Sequence, residues 1–236
     1  MSDASEWIAT PLGKHCAIKT GKKDVNEGNP EGFYPFFTCS REHTYSDSFS
    51  FDTEAILIAG NGDVGNLHYY NGRFEAYQRT YVLDSFDIDI FYVYHYLSSL
   101  LLKSLEKEKI GTSIPYIKLG HLSEFEIKIP KAVEQQQKIA HILTTVDNLI
   151  EKTQALIDKY TAVKQGMMHD LFTRGIDLAT GQLRPSYEQA PELYKETELG
   201  WVPREWGVLE LKNVLDFLDG QRIPLKSEDR YFMQGP

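Results

Sequence analysis

Cysteine, long apolar runs and excess positive charge are all scarce in this chain, and each shortage removes a class of function. Cys16 and Cys39 are the only cysteines in 236 residues, too few for a disulfide framework. No run approaches eighteen apolar residues, and the opening MSDASEW lacks the basic and apolar regions of a secretory signal. These features predict a cytoplasmic protein that does not enter a membrane. The formal net charge is -9; sequence-independent affinity for nucleic acid comes from neutralising phosphates, so indiscriminate binding is disfavoured. Neither side of Pro130 is a basic module: twelve Lys and Arg stand against eighteen Asp and Glu before it, and thirteen against sixteen after it. A local basic surface that reads one site is compatible with this balance.

Signatures of catalysis are missing as well. The chain has no phosphate-cradling GxxxxGK, no nucleophile elbow, no methyltransferase-like tetrapeptide and no cluster of nuclease carboxylates with a lysine. Cys39 with His43, or His15 with Cys16, has no second pair at zinc-ligand spacing, so no metal is expected. Gly60, Gly62 and Gly65 do follow an apolar run in GxGxxG spacing. A dinucleotide site needs a helix opening on the third glycine, whereas NLHYYNGRF continues as a hairpin. The glycines therefore predict a turn between strands; the functional alternative is that Asn61, Asp63 and Asn66 form a polar loop facing DNA.

What the chain has is a strand-rich front and a long heptad helix. Residues 1–130 carry turn residues every eight to twelve positions, the pattern of a mixed or antiparallel sheet. Asn71 and Gly72, between LHYY and RFEAY, predict a two-residue type I′ hairpin. Helical spacing through Tyr92, Tyr96, Leu100 and Leu101 predicts a helix over 89–109 that stops at Gly111, and IPYIKLGHLSEFEIKIP then returns to extended chain. After Pro130 the period changes. One seam is Ile139, Val146, Thr153, Tyr160 and Met167; the second is Ile142, Leu149, Leu156 and Val163. A third apolar row, Leu143, Ile150, Ile157 and Leu171, makes the stripe wider than a two-stranded coil needs. A helix of about forty residues at about 1.5 Å each spans roughly 60 Å, too long for the front domain to cover. It predicts a partner helix. Glu134 in the first turn and Arg174 with Gly175 at the end suit the helix dipole and a glycine stop.

The organisation expected is a domain over 1–130, a helix over 131–175, a linker over 176–200 and the opening of a second domain over 201–236. A repeat supports the last. EWIATPLGKHCAIKTG at 6–21 aligns without gaps, at an offset of 199, with EWGVLELKNVLDFLDG at 205–220, matching Glu6 with Glu205, Trp7 with Trp206, Leu12 with Leu211 and Gly21 with Gly220. Residues 201–236 are too few to bury a core alone.

These motifs together resemble the DNA-specificity subunit of type I restriction-modification systems. The resemblance rests on Trp7, Leu12 and Gly13, on GTSIPYIKLGHL, and on IKIPKAVEQQQKIAHILTTVDNLI with Glu134 and Gln135. KQGMMHDLFTRGI and LGWVPREW complete it. It implies a target-recognition domain that reads half of a split site on double-stranded DNA. The resemblance further implies two long helices packed antiparallel, as in members of that family, and separate modification and restriction subunits that hold S-adenosylmethionine and ATP and perform the chemistry. No cofactor is implied for this chain. It departs from the family in having one complete domain and one helix, so an antiparallel homodimer would supply the second of each. The fold class expected is α/β: a mixed β-rich recognition domain followed by a long coiled-coil-forming helix.

Reading DNA requires Arg, Lys, Asn, Gln or Ser on loops that reach base edges, with Lys and backbone amides on phosphates. The candidates are Lys19, Lys22 and Lys23; Ser40, Arg41 and His43; Asn61; Arg73, Gln78 and Arg79; and Thr112, Ser113 and Lys118. Candidates for the partner helix are Ile139, Ile142, Leu143, Val146, Leu149, Ile150, Leu156, Ile157, Tyr160, Val163 and Met167. The competing readings are a coiled-coil interaction protein with a ligand- or protein-binding front domain, and a nucleotide-dependent enzyme built on the glycine loop.

Overall fold

A computed structural model describes residues 6–105 and 116–216. The chain divides into two compact units, 1–153 and 154–236. A helix over Val133–Thr173 contributes its first half to one unit and its second half to the other. The architecture is α/β, a β-rich domain followed by a long helix. No helix of the described residues is long and apolar enough to cross a membrane.

The first unit is organised by the run AILIA. Strand β5, Phe51–Ala59, buries five consecutive residues from Ala55 to Ala59, so both of its faces are covered. Ile56 and Ile58 face a core that includes Leu83, Tyr92, Val93, Leu97 and Leu101. Ala55 and Leu57 face a second core with Phe37, Phe74, Ala76 and Val82. Period-two alternation is thus present, but apolar residues occupy both phases. Around β5 run β2 (Ala17–Thr20), β3 (Tyr34–Phe37), β4 (Thr44–Ser46), β6 (Leu67–Ala76) and β7 (Thr80–Asp84), in the order β2-β7-β5-β6-β3-β4. Every pairing is antiparallel except β3 with β6. Lys23, just past edge strand β2, donates to Ser46 on the opposite edge strand β4 at 2.8 Å, so the two edges of the sheet curl towards one another.

Asn71 and Gly72 do not form a hairpin. Both lie inside β6, opposite Glu54 and Thr53. A type I′ turn would pair its two flanks with each other; here both flanks pair with β5. The reversal occurs at 60–66, where Gly62 and Gly65 take φ values of +62° and +78°. The GxGxxG segment is therefore a strand-to-strand loop with no helix on its third glycine.

Strand β1, Trp7–Pro11, pairs antiparallel with β8, Glu126–Pro130. Helix α1 covers Ile90–Leu105, and Asp89 accepts from the Tyr92 amide at 2.8 Å in its first turn. The expected stop at Gly111 lies outside the described residues. IPYIKLGHLSEFEIKIP is not extended throughout, because Leu119–Ser123 form a short helix, α2, that buries Leu122. Helix α3, Val133–Thr173, starts three residues after Pro130. Its first turns pack on the domain through buried Gln136 and Ala140 and half-buried Ile139. His95 of α1 reaches Thr144 Oγ1 at 2.9 Å and Asp147 Oδ2 at 3.5 Å.

In the second unit α3 ends at Thr173, and Gly175, with a φ of +67°, turns the chain away. The segment 176–200, expected as a linker, carries secondary structure instead. Ile176 bridges Leu183, and Tyr194–Thr197 (β9) pairs antiparallel with Gly200–Pro203 (β10). Tyr187 stacks on Trp201 with centroids 4.3 Å apart. A Cβ on Gly175 would sit 2.5 Å from the Trp206 ring, so only glycine lets that ring close over the end of α3. The repeat has a structural echo: 3-10 helices occur at Leu12–Lys14 and at Leu211–Asn213, again 199 residues apart. Gly220 lies outside the described residues.

Candidate nucleic-acid interface

Five segments distant in sequence are knitted together at one place on the first unit. The 60–66 loop meets the residues after β3 through Asp63 N to Cys39 O, 3.1 Å, and Asn66 Nδ2 to Ser40 O, 3.2 Å. It meets the β6–β7 turn through Gly60 N to Arg79 O, 2.9 Å. That turn meets the residues after β2 through Gln78 N to Lys23 O, 3.0 Å. The segment before α2 joins through Ile117 N to Gly60 O, 2.7 Å, and Tyr81 Oη to Ile117 O, 3.1 Å. Members of four predicted clusters, Lys22 and Lys23, Ser40 and Arg41, Gln78 and Arg79, and Lys118, thus lie on or beside segments joined to one another.

A cleft of about 340 Å³ opens among these segments, lined by Thr20, Gly60, Gln78, Arg79, Tyr81 and Tyr116. Ile117 closes its floor. Thr20, Gln78, Arg79 and Tyr116 are exposed on its rim. The Arg79 side chain makes no hydrogen bond or ion pair among the described residues, while its carbonyl is held by Gly60 N and by Cys39 Sγ at 3.4 Å. Gln78 donates through Nε2 to Asp24 Oδ2 at 3.4 Å. Asp24 is itself fixed as the cap of the Val25–Glu27 turn, accepting from Asn26 N at 3.2 Å. Thr20 and Tyr116 escape sequence reasoning; the exposed aromatic two residues before Lys118 is the one signal that could have found them.

The other predicted residues separate by what they touch. Lys19 is bound to the buried Asp84 carboxylate at 2.7 Å, and Lys23 is turned to Ser46 and Ser48 at 2.8 Å each and lies 3.8 Å from buried Glu75. Both lysines complete the fold. Lys22 and Arg41, like Arg79, are exposed with no ion pair among the described residues. Ser40 and Asn61 lie in the knitted loops. The His43 ring packs on Phe37 and Tyr45 with centroids 5.3 Å away in each case, so it serves the aromatic cluster. Arg73 sits mid-strand on β6, bound to Asp52 at 3.0 Å and lying 4.9 Å above the Phe49 ring, apart from the knitted loops. Lys118 is exposed beside Tyr116, its Nζ 5.6 Å from that ring. Thr112 and Ser113 lie outside the described residues. Burial lowers the His68 pKa and so favours the neutral ring that meets Asn66 Nδ2 at 2.9 Å. Burial likewise pushes the Cys16 thiol up to about 12, which removes it as a nucleophile.

On α3, Ile139 packs against its own domain. The remaining ten helix candidates, from Ile142 to Met167, are 41% to 62% exposed. A stripe of that size left in water favours association. Leu143, Ile150 and Ile157 stand beside the two seams, as the third apolar row requires.

The profile of the type I restriction modification DNA specificity domain matches residues 4–160. The type I restriction enzyme EcoDI specificity subunit of Escherichia coli is 29% identical over 233 residues, covering 93% of this chain and 51% of its own length. The MjaVIII specificity subunit of Methanocaldococcus jannaschii is 27% identical, covering 92% and 51%. The chain thus spans about half the length of these relatives. Among solved structures, the type I S subunit from M. genitalium superposes with a TM-score of 0.58 at 23% identity, over 73% of this chain and 47% of that one. A chain from work on complex assembly and conformational transition of the type I R-M system gives 0.53 at 20% identity, over 70% and 44%; both show likeness of fold. With more than half of its residues inside the profile, the chain belongs to the type I restriction-modification DNA specificity family.

Proposed function

We propose that this protein is the sequence-reading component of a type I restriction-modification complex. Residues 1–130 bind one half of a split target on double-stranded DNA, the helix over 131–175 is the assembly element, and 201–236 opens a second recognition domain. The convergence of Lys22, Arg41, Asn61, Gln78 and Arg79 on one knitted loop surface carries this reading. A rigid loop surface with unpaired cations is what base and phosphate contacts need. The chain contributes no catalytic group: methyl transfer and cleavage, with S-adenosylmethionine and ATP, belong to modification and restriction subunits.

Helix α3 packs antiparallel against a second copy, which would cover the exposed seam from Ile142 to Met167 by C2 symmetry. The third row then faces a modification subunit. Light scattering on the purified chain, alone and with its modification subunit, tests the assembly. A dimer that captures the subunit is expected. A monomer that ignores it would leave a coiled-coil interaction protein as the better reading.

A further inference from the structure

We propose that the cleft beside Gly60 reads a single G·C base pair through its major-groove edge, with Arg79 on the guanine and Gln78 on the cytosine. This rests on the DNA-reading function proposed above and assigns one specificity position to two residues. Arg79 is backbone-anchored and side-chain free: its carbonyl is tied to Gly60 and Cys39, and the exposed residue lines the cleft with its guanidinium unpartnered among the described residues. A guanidinium fork matches the O6 and N7 acceptors of guanine. Gln78 complements it. With Nε2 donating to Asp24, its Oε1 is left as an acceptor, the group that cytosine N4 requires. Donors beside one acceptor form the pattern of G·C.

Charge argues against a simple phosphate contact here. Asp24 is exposed, capped in place and within 3.4 Å of Gln78, so a phosphate beside that residue would meet a fixed carboxylate. A base edge, which is uncharged, would not. Thr20 and Tyr116 on the facing rim add a hydroxyl and an aromatic edge against neighbouring groups.

The test uses the full chain in complex with its modification subunit and selects from a random-core duplex library at fixed salt. Wild-type protein is expected to return a motif containing a G·C position that Arg79→Ala degrades, with preference there falling about tenfold to a hundredfold while the other positions persist. Arg79→Lys keeps the charge but lacks the fork, and is expected to lose the same preference. Gln78→Ala is expected to weaken the same base pair. Thermal midpoints matching wild type establish that the variants fold. An unchanged motif in Arg79→Ala, or a uniform fall in affinity with a shallower salt dependence, overturns the assignment and leaves the DNA-reading function standing. A wild-type complex that selects no motif overturns both.

Discussion

Gln136 donates from Nε2 to the Pro130 carbonyl at 2.8 Å and accepts at Oε1 from the Asp89 amide at 3.1 Å. One buried amide therefore joins the end of β8, the start of α1 and the first turn of α3. Replacing it with alanine strands a buried carbonyl and a half-buried amide. Gln136→Ala is expected to lower stability by about 2–3 kcal/mol, read as a fall in the urea midpoint without a change in slope. A loss below about 0.5 kcal/mol would show that the junction is held by apolar packing alone.

Lysines 19 and 22 have opposite expected phenotypes. Lys19 neutralises the buried Asp84 carboxylate but is itself half exposed, so Lys19→Ala is expected to cost only about 1 kcal/mol of stability. Its effect on DNA affinity should be small. Lys22→Ala should leave the melting curve in place and reduce the slope of log affinity against log salt by about one, if Lys22 meets a phosphate. Parallel melts and salt titrations separate the two.

Stability should fall on mild acidification. His68 and His95 are both held below their usual value of 6.5 by burial. Their folded forms bind protons less readily than the unfolded chain, so their contribution is complete above about pH 6.5 and declines as pH falls below it towards the folded values. His68 meets Asn66 Nδ2, a donor, so its protonation disturbs the loop surface, whereas a protonated His95 still faces the Asp147 carboxylate across the α1–α3 contact. Urea midpoints at pH 7.5 and 5.5 should differ less in a His68→Gln variant than in wild type. An equal difference would remove His68 as a source.

Leu149 and Leu156, both on the second seam, test the assembly helix. Both are at least half exposed in the single chain, so Leu149→Glu with Leu156→Glu should leave the fold of the front domain intact. The mass in solution should drop from dimer to monomer at micromolar concentration. A double variant that remains dimeric would place the interface elsewhere.

Residues differ in how far their placement could be read from sequence, and the physical reason is the range of the interactions that decide it. The helix over Val133–Thr173 was legible because its heptads repeat locally and its ends carry Glu134 and Gly175. The glycine loop at 60–66 was legible as a turn for the same reason. Asn71 and Gly72 misled because turn chemistry is local, whereas β6 takes its course from an eight-residue register with β5. The five residues of α2 are too short to show a period. Tyr187 and Trp201 turn an aperiodic stretch into an ordered one by stacking across fourteen residues. The convergence of Lys23, Cys39, Gly60, Gln78 and Ile117 depends on long-range backbone bonds that no local pattern records. It also could not show that Lys19 and Lys23 would be claimed by Asp84 and Ser46.

The most direct test of a DNA-reading dimer is selection from a random duplex library by the purified complex of this chain with its modification subunit. One enriched motif is expected, made of two identical half-sites in inverted orientation and separated by a spacer of fixed length. Retention of DNA without any enriched motif would contradict it.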